Sequence, residues 1–154
     1  MRYEELLNEA ENSNVYVIEN VDFESQSDGL INGNVIGISR KVRSYRKRSC
    51  VLAEELGHYH TAVGDILDQS TVENRKLERR GRVWSYDKIV GLTGIISCYH
   101  AGCHTLFEMA EHLEVPEDFL QEALNYYRSK YGICTKLDNY TIFFESGIAV
   151  LELL

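Results

Sequence analysis

The sequence is best understood from one segment, Ala53-Glu54-Glu55-Leu56-Gly57-His58-Tyr59-His60, which lies within a helical pattern over residues 44–62. Residues four apart share one face of a helix, so Glu54 and His58 form a pair and Glu55 lies beside them. A metal ion held by such a pair would carry its water near the adjacent carboxylate, as in the His-Glu-x-x-His zinc proteases. In this chain the first ligand position is occupied by Glu54.

A metal site needs a third protein ligand, and the next predicted helix, residues 71–90, offers Glu73 and Glu78. Gly57, just before the histidine, lowers helix stability by about 0.5–1 kcal/mol relative to alanine. A glycine at this position is expected where another backbone or a substrate must approach the helix closely. The alternative is that the acidic and histidine side chains of the segment form a polar helix face in water. Apolar neighbours of the segment favour the metal site.

Length and charge limit the classes of function that are open to the chain. Its 154 residues suit one compact domain with room for a small appended lobe. The net charge is −8, from 16 basic and 24 acidic residues, and this repels phosphate backbones, so nucleic acid is an unfavourable ligand. Basic residues are concentrated at residues 40–48. This run could form a nucleic-acid-binding patch, or it could be an ordinary solvated surface. The sequence contains neither an apolar run long enough to span a membrane nor the apolar core of a secretory signal peptide. We therefore expect a cytoplasmic protein without membrane association.

Hydrophobic periodicity predicts an α+β fold that is mainly helical. Strands over residues 15–18 and 35–38 predict a small antiparallel sheet, and residues 2–13, 94–102 and 105–131 predict further helices. A hairpin that turns at Ser146-Gly147 is expected at the C-terminus. We expect a core over residues 1–92 and a helical lobe with this hairpin over residues 93–154, packed as one unit.

Four cysteines are expected to be free thiols, because no secretory signal accompanies them. A cluster of Cys98, His100, Cys103 and His104 could bind zinc in principle, but its spacing fits no common zinc module. The alternative is a helix end that carries half-buried thiols.

Several segments of the chain resemble the ImmA/IrrE metallo-endopeptidases, especially those carried by prophages and mobile elements. The resemblance implies a zincin-like core, in which the helix bearing the motif lies beside a small sheet. It also implies a zinc ion with His58 and Glu78 as ligands, Glu55 as the catalytic base, and Glu54 in the remaining ligand position. Members of the family typically cleave a helix-turn-helix repressor encoded beside them. The resemblance rests on residues 52–59, 65–69 and 74–86 and, less specifically, on residues 107–113 and 120–127.

The chain departs from the family pattern at Glu54. Two carboxylates and one imidazole would neutralise a divalent ion and polarise its water less than two neutral imidazoles do. We therefore expect a lower zinc affinity and weak or partner-dependent proteolysis. Tyr59 or His60 could donate a hydrogen bond to a developing oxyanion, the alternative being that these side chains face solvent.

Three functions follow from these observations. The first is a metallo-endopeptidase that inactivates a helix-turn-helix repressor. The second is an antirepressor that binds the repressor without cutting it, because the acidic helix pair at residues 105–131 suits a basic, operator-binding partner. The third is a DNA-binding regulator that uses residues 40–48 and the same helix pair, which the net charge and the acidic second lobe disfavour. The sequence leaves the oligomeric state open.

Overall fold

A computed structural model describes residues 3–61 and 72–154, apart from the side chains of residues 72–74. The chain divides into two compact units, Met1–Lys88 and Ile89–Leu154. The architecture is α+β and mainly helical, as predicted. No helix in the described ranges is long and apolar enough to cross a bilayer.

The first unit contains three helices and a three-stranded sheet. The predicted helices over residues 2–13, 44–62 and 71–90 are all confirmed. The elements in chain order are α1 (Tyr3–Asn12), β1 (Tyr16–Val21), β2 (Gly29–Asn32), β3 (Val35–Ser39), α2 (Tyr45–Thr61) and α3 (Val72–Ile89).

The sheet of this unit is mixed, so the prediction of an antiparallel sheet was wrong in part. Its strand order is β1-β3-β2, with β1 parallel to β3 and β2 antiparallel to β3. Gly33 and Asn34 join β2 to β3, and Gly33 has a φ of 61°, which glycine adopts without a Cβ penalty. The sequence pattern missed β2, a short strand between two turn signals, and β2 is what allows β1 and β3 to run in parallel.

The core of the first unit forms where α1 and α2 pack together and α2 lies against the sheet. Leu52 and Leu56, one helical turn apart on α2, are fully buried together with Ile36 and Ile38 of β3. Alternate residues of β3 point to one face, and this face meets the apolar face of α2. Burying these side chains fixes the rotation of α2 about its own axis.

The basic run at residues 40–48 forms a polar surface with several internal contacts. Arg40 lies 3.8 Å from Asp22, and Lys47 lies 3.5 Å from Asp28. The Arg48 guanidinium donates from Nε to the Val42 carbonyl at 2.7 Å. These cations are thus partly engaged within the unit, which fits the solvated-surface alternative better than a nucleic-acid patch.

The second unit begins with three helices, α4 (Gly91–His100), α5 (Leu106–Leu113) and α6 (Glu117–Tyr131). Thr105 caps α5 by accepting a hydrogen bond from the Glu108 N–H at 3.1 Å, and α6 ends at Gly132 as predicted. The predicted helix over 94–102 starts three residues earlier, since Gly94 lies inside α4 rather than before it.

The second sheet is antiparallel, with strand order β4-β5-β6. The predicted C-terminal hairpin is confirmed as β5 (Tyr140–Phe143) and β6 (Ala149–Glu152). Strand β4 (Cys134–Leu137), which pairs with β5, was not predicted from the sequence. Ile142 and Phe144 are fully buried in this unit.

Candidate metal centre

Helix α2 presents its acidic residues and its histidine beside one another. His58 is 4% exposed, whereas Glu54 and Glu55 are partly buried. The burial of His58 follows from α3, whose residue Gly81 lies against the imidazole ring. A wholly solvated polar face is therefore excluded for His58.

Two glycines allow α3 to approach α2 closely at this point. A Cβ added to Gly57 would lie 2.4 Å from the Gly81 carbonyl oxygen, and one added to Gly81 would lie 2.3 Å from His58 Nδ1. Real Cβ atoms do not approach so closely, so both positions require glycine. Ser85, one turn beyond Gly81, is fully buried as well. Helix α3 therefore presents a residue without a side chain, Gly81, where it meets α2.

This close approach brings Glu78 to His58. The Glu78 Oε2 atom lies 3.0 Å from His58 Nε2, and the Glu78 side chain is 40% exposed. Because Gly81 is three residues after Glu78, both face α2 from one side of α3. The side chain of Glu73, the other candidate, lies outside the described residues.

Glu54, His58 and Glu78 form a group that could hold a metal ion. Each offers a ligand atom, and these atoms all lie within 4.8 Å of one another. The group is the one convergent set of three or more His, Cys, Asp or Glu side chains within residues 3–61 and 75–154. Two carboxylates with one imidazole form a donor set of borderline hardness that suits a divalent cation.

Both positive and negative side chains surround the candidate metal ligands. The Arg82 guanidinium lies 3.5 Å from Glu54 Oε1 and partly neutralises it. Glu55 lies against β2, where a Cβ on Gly29 would contact its Cγ at 3.2 Å. Burial, and after it the charges of the nearby Glu54 and Glu78 carboxylates, raise the pKa of Glu55 to about 8. A cation bound here would reverse this effect by favouring the ionised carboxylate.

The His58 ring is held mainly by packing. Its Nε2 faces Glu78, whereas Nδ1 is buried and has no hydrogen-bond partner among the described residues. Ligand histidines usually donate through their second nitrogen to an acceptor. Here the main chain at Gly81 occupies that side, so the position of the ring depends on the close approach of α2 and α3.

Tyr59 and His60 lie outside the convergent group. The Tyr59 hydroxyl donates to the Ser13 carbonyl at 3.4 Å, and the His60 ring stacks on Trp84 with centroids 5.2 Å apart. Both residues are exposed. Their contact with a substrate stays a prediction.

The cysteine and histidine cluster at residues 98–104 does not form a convergent metal group. Cys98 is buried and Cys103 is partly exposed, and both are free thiols. The alternative interpretation, a helix end that carries thiols, therefore describes this cluster.

Arg82 and Gly29, which shape the site, were not predicted from the sequence, and Gly81 was placed only within the family resemblance at residues 74–86. The signal for Gly81 was available, since a glycine inside a helical pattern often marks a close approach of backbones. Gly29 and Arg82 carried no such signal, because their importance arises from contacts with a distant helix.

Comparison of the chain with protein-family models, with curated proteins and with solved structures finds no match. The resemblance to the ImmA/IrrE family, including its segment at residues 65–69 outside the described part, stays a prediction.

Proposed function

We propose that this chain is a metal-dependent endopeptidase, with zinc as its ion. The convergence of Glu54, His58 and Glu78 within 4.8 Å, beside the partly buried carboxylate of Glu55, is the observation that carries the proposal. This arrangement has the three ligands and the adjacent base that metal-assisted hydrolysis needs. A structural zinc site would instead be closed by four protein ligands.

A divalent ion bound by the three ligands would supply Lewis acidity toward a peptide carbonyl and a water molecule. The Glu55 carboxylate then takes a proton from the water as the water oxygen bonds to the carbonyl carbon. As the C–N bond breaks, Glu55 gives that proton to the leaving amine. A cation bound beside Glu55 would favour its ionised form, and the carboxylate is then able to accept the proton.

A peptide substrate could reach Glu55 along β2. This strand lies at the edge of its sheet, and its first residue, Gly29, contacts the Glu55 side chain. An extended chain that adds to a sheet edge gains main-chain hydrogen bonds with little demand on sequence. Such a strand addition would carry a scissile bond past the proposed base.

We propose a helix-turn-helix repressor of the same prophage or mobile element as the substrate, met in the cytoplasm. The support is the residue-level resemblance to the ImmA/IrrE family together with the charge of the chain, −8. An operator-binding protein is basic where it contacts DNA, so its attraction to an acidic protein is favourable.

The test combines metal content with cleavage. Purified wild type should contain about one equivalent of metal by elemental analysis, and His58→Ala should contain none. Glu55→Gln should keep the metal and lose about 10²–10⁴-fold in the rate of cleavage of the neighbouring repressor, the range expected for a general base. Unchanged cleavage by Glu55→Gln would reject the role of Glu55.

A second candidate function is antirepression without cleavage. The observation that favours it is an acidic, solvent-exposed surface on α5 and α6, which could bind a basic partner whatever the state of the metal site. Recovery of intact repressor in a tight complex with wild type would support this function over proteolysis. The exposed acidic residues are Glu108, Glu111, Glu114, Glu117, Asp118 and Glu122.

A further inference from the structure

The end of α4 brings two cysteines together. The Gly102 N–H donates to the Tyr99 carbonyl at 3.1 Å, and the Cys103 N–H donates to the Cys98 carbonyl at 3.0 Å. Gly102 has a φ of 77°, so these bonds form the Schellman motif that ends many helices. In this motif the side chains at the positions of Cys98 and Cys103 usually contact each other. Here both are thiols, and they interact with one another.

The two thiols open on a cavity of about 290 Å³ in the second unit. Cys98 is 2% exposed, and its thiol lies 4.0 Å from the Met109 carbonyl. Cys103 is partly exposed, and its thiol donates to the Glu108 carbonyl at 3.6 Å. Small molecules can thus reach the pair from the side of Cys103, while Cys98 stays behind it.

We propose that Cys98 and Cys103 form a reversible dithiol–disulfide pair that hydrogen peroxide oxidises. The pair needs no residue of the metal centre, so this inference does not depend on the proposed peptidase activity. Disulfides in reducing compartments are usually transient and redox-sensing, and a pair closed by one helix turn suits that role.

The oxidation proceeds in two balanced steps. The Cys103 thiol loses its proton, and its sulfur attacks one oxygen of hydrogen peroxide. An S–O bond forms and the O–O bond breaks. The departing hydroxide takes up a proton and leaves as water. The Cys98 thiol then loses its proton, and its sulfur attacks the sulfenic sulfur of Cys103. An S–S bond forms, the S–O bond breaks, and the departing hydroxide takes up the proton and leaves as a second water. Two thiols are oxidised by two electrons, and one peroxide is reduced to two waters.

The two cysteines have different tasks because their surroundings differ. Burial, and after it the interaction with the Cys103 thiol, raise the pKa of the Cys98 thiol to about 12, so Cys98 stays protonated and unreactive while Cys103 is reduced. The more accessible Cys103 meets the oxidant, and Cys98 is held beside it as the resolving thiol.

Tryptic mapping of the full chain tests the proposal cleanly. Cys98 and Cys103 share the peptide 89–128, which has no internal Lys or Arg, whereas Cys50 lies in peptide 49–75 and Cys134 in peptide 131–136. After treatment with hydrogen peroxide, denaturation and alkylation, peptide 89–128 should lose both alkylatable thiols together and two hydrogen atoms of mass. Dithiothreitol should restore both thiols.

Single variants distinguish a pair from two independent thiols. Cys98→Ser should leave Cys103 to accumulate as sulfenic or sulfinic acid, and Cys103→Ser should leave Cys98 alkylatable after the same treatment. The control Cys134→Ser, which removes an exposed thiol, should leave the behaviour of peptide 89–128 unchanged. Sulfinic acid on Cys103 in wild type with Cys98 still alkylatable, or no oxidation of this peptide, would overturn the proposal.

Discussion

At the scale of single residues, Gly57 and Gly81 set how closely the ligands approach one another. Each of these glycines excludes a Cβ because the opposite helix lies within 2.4 Å of where that atom would be. The approach of α3 to α2 in turn places Glu78 within 3.0 Å of His58 Nε2. The metal site therefore depends on two residues that offer no ligand atom.

Gly81→Ala should weaken zinc binding by tenfold or more, because its methyl group would displace the His58 ring. Isothermal titration calorimetry of the two proteins with zinc measures this directly. The matched control is Gly94→Ala on α4, where the nearest neighbour is a flexible Leu113 methyl group at 3.3 Å. This control should bind zinc as wild type does and keep its stability within about 1 kcal/mol. Wild-type affinity in Gly81→Ala would contradict the packing argument.

Glu55 should make the metal-free protein less stable as the pH rises. Its pKa is about 8 in the folded chain and near the ordinary 4.5 when unfolded, so the folded state binds more protons between these values. The free energy of unfolding therefore falls with pH across this window, by up to about 1.4 kcal/mol per pH unit from this group. Urea unfolding at pH 5 to 8 should give a flatter profile for Glu55→Gln than for wild type.

The exposed Glu117 supplies a control for that experiment. Glu117→Gln removes a carboxylate from the first turn of α6, and its free energy of unfolding should fall with pH as steeply as that of wild type. A Glu55→Gln profile as steep as that of wild type would mean that Glu55 titrates normally in the folded chain.

At the scale of elements, helices were predictable and sheet topology was not. The six helices in the described part of the chain follow from apolar periodicity and end signals that lie within each segment, such as the glycine at 132. Strand direction depends on which strand pairs with which, and this information lies in other parts of the chain. The parallel pairing of β1 with β3 is such a case, since the short β2 between them carried only turn signals.

The N-cap of α5 provides a test that is confined to one element. Thr105→Ala removes the hydroxyl that accepts from the Glu108 N–H and should lower the free energy of unfolding by about 1 kcal/mol. Urea denaturation followed by circular dichroism measures the loss. Ser129→Ala, at an exposed position of α6, removes a hydroxyl elsewhere in the same unit and should change stability by less than about 0.5 kcal/mol. Equal effects of the two variants would show that Thr105 does not act as a cap.

At the scale of the whole molecule, a ligand that binds only the folded chain stabilises it. Zinc at 100 times its dissociation constant should add about 2.7 kcal/mol and raise the Tm of wild type by several degrees, and a chelator should reverse the rise. His58→Ala should show no such shift. Scanning calorimetry of both proteins makes the measurement, and an equal shift in both would place the zinc at other side chains.

The amino-acid sequence by itself determined the helices, the α+β class and the alignment of Glu54 with His58, because each depends on residues within a few turns of one another. The tertiary structure alone decided that Glu78 meets His58, that Gly81 is needed where the helices approach, and that Glu55 is buried enough to hold its proton. These properties arise from atoms that come together only when α2, α3 and β2 are packed. A hydrophobic pattern records which face of a helix is buried but not what that face meets.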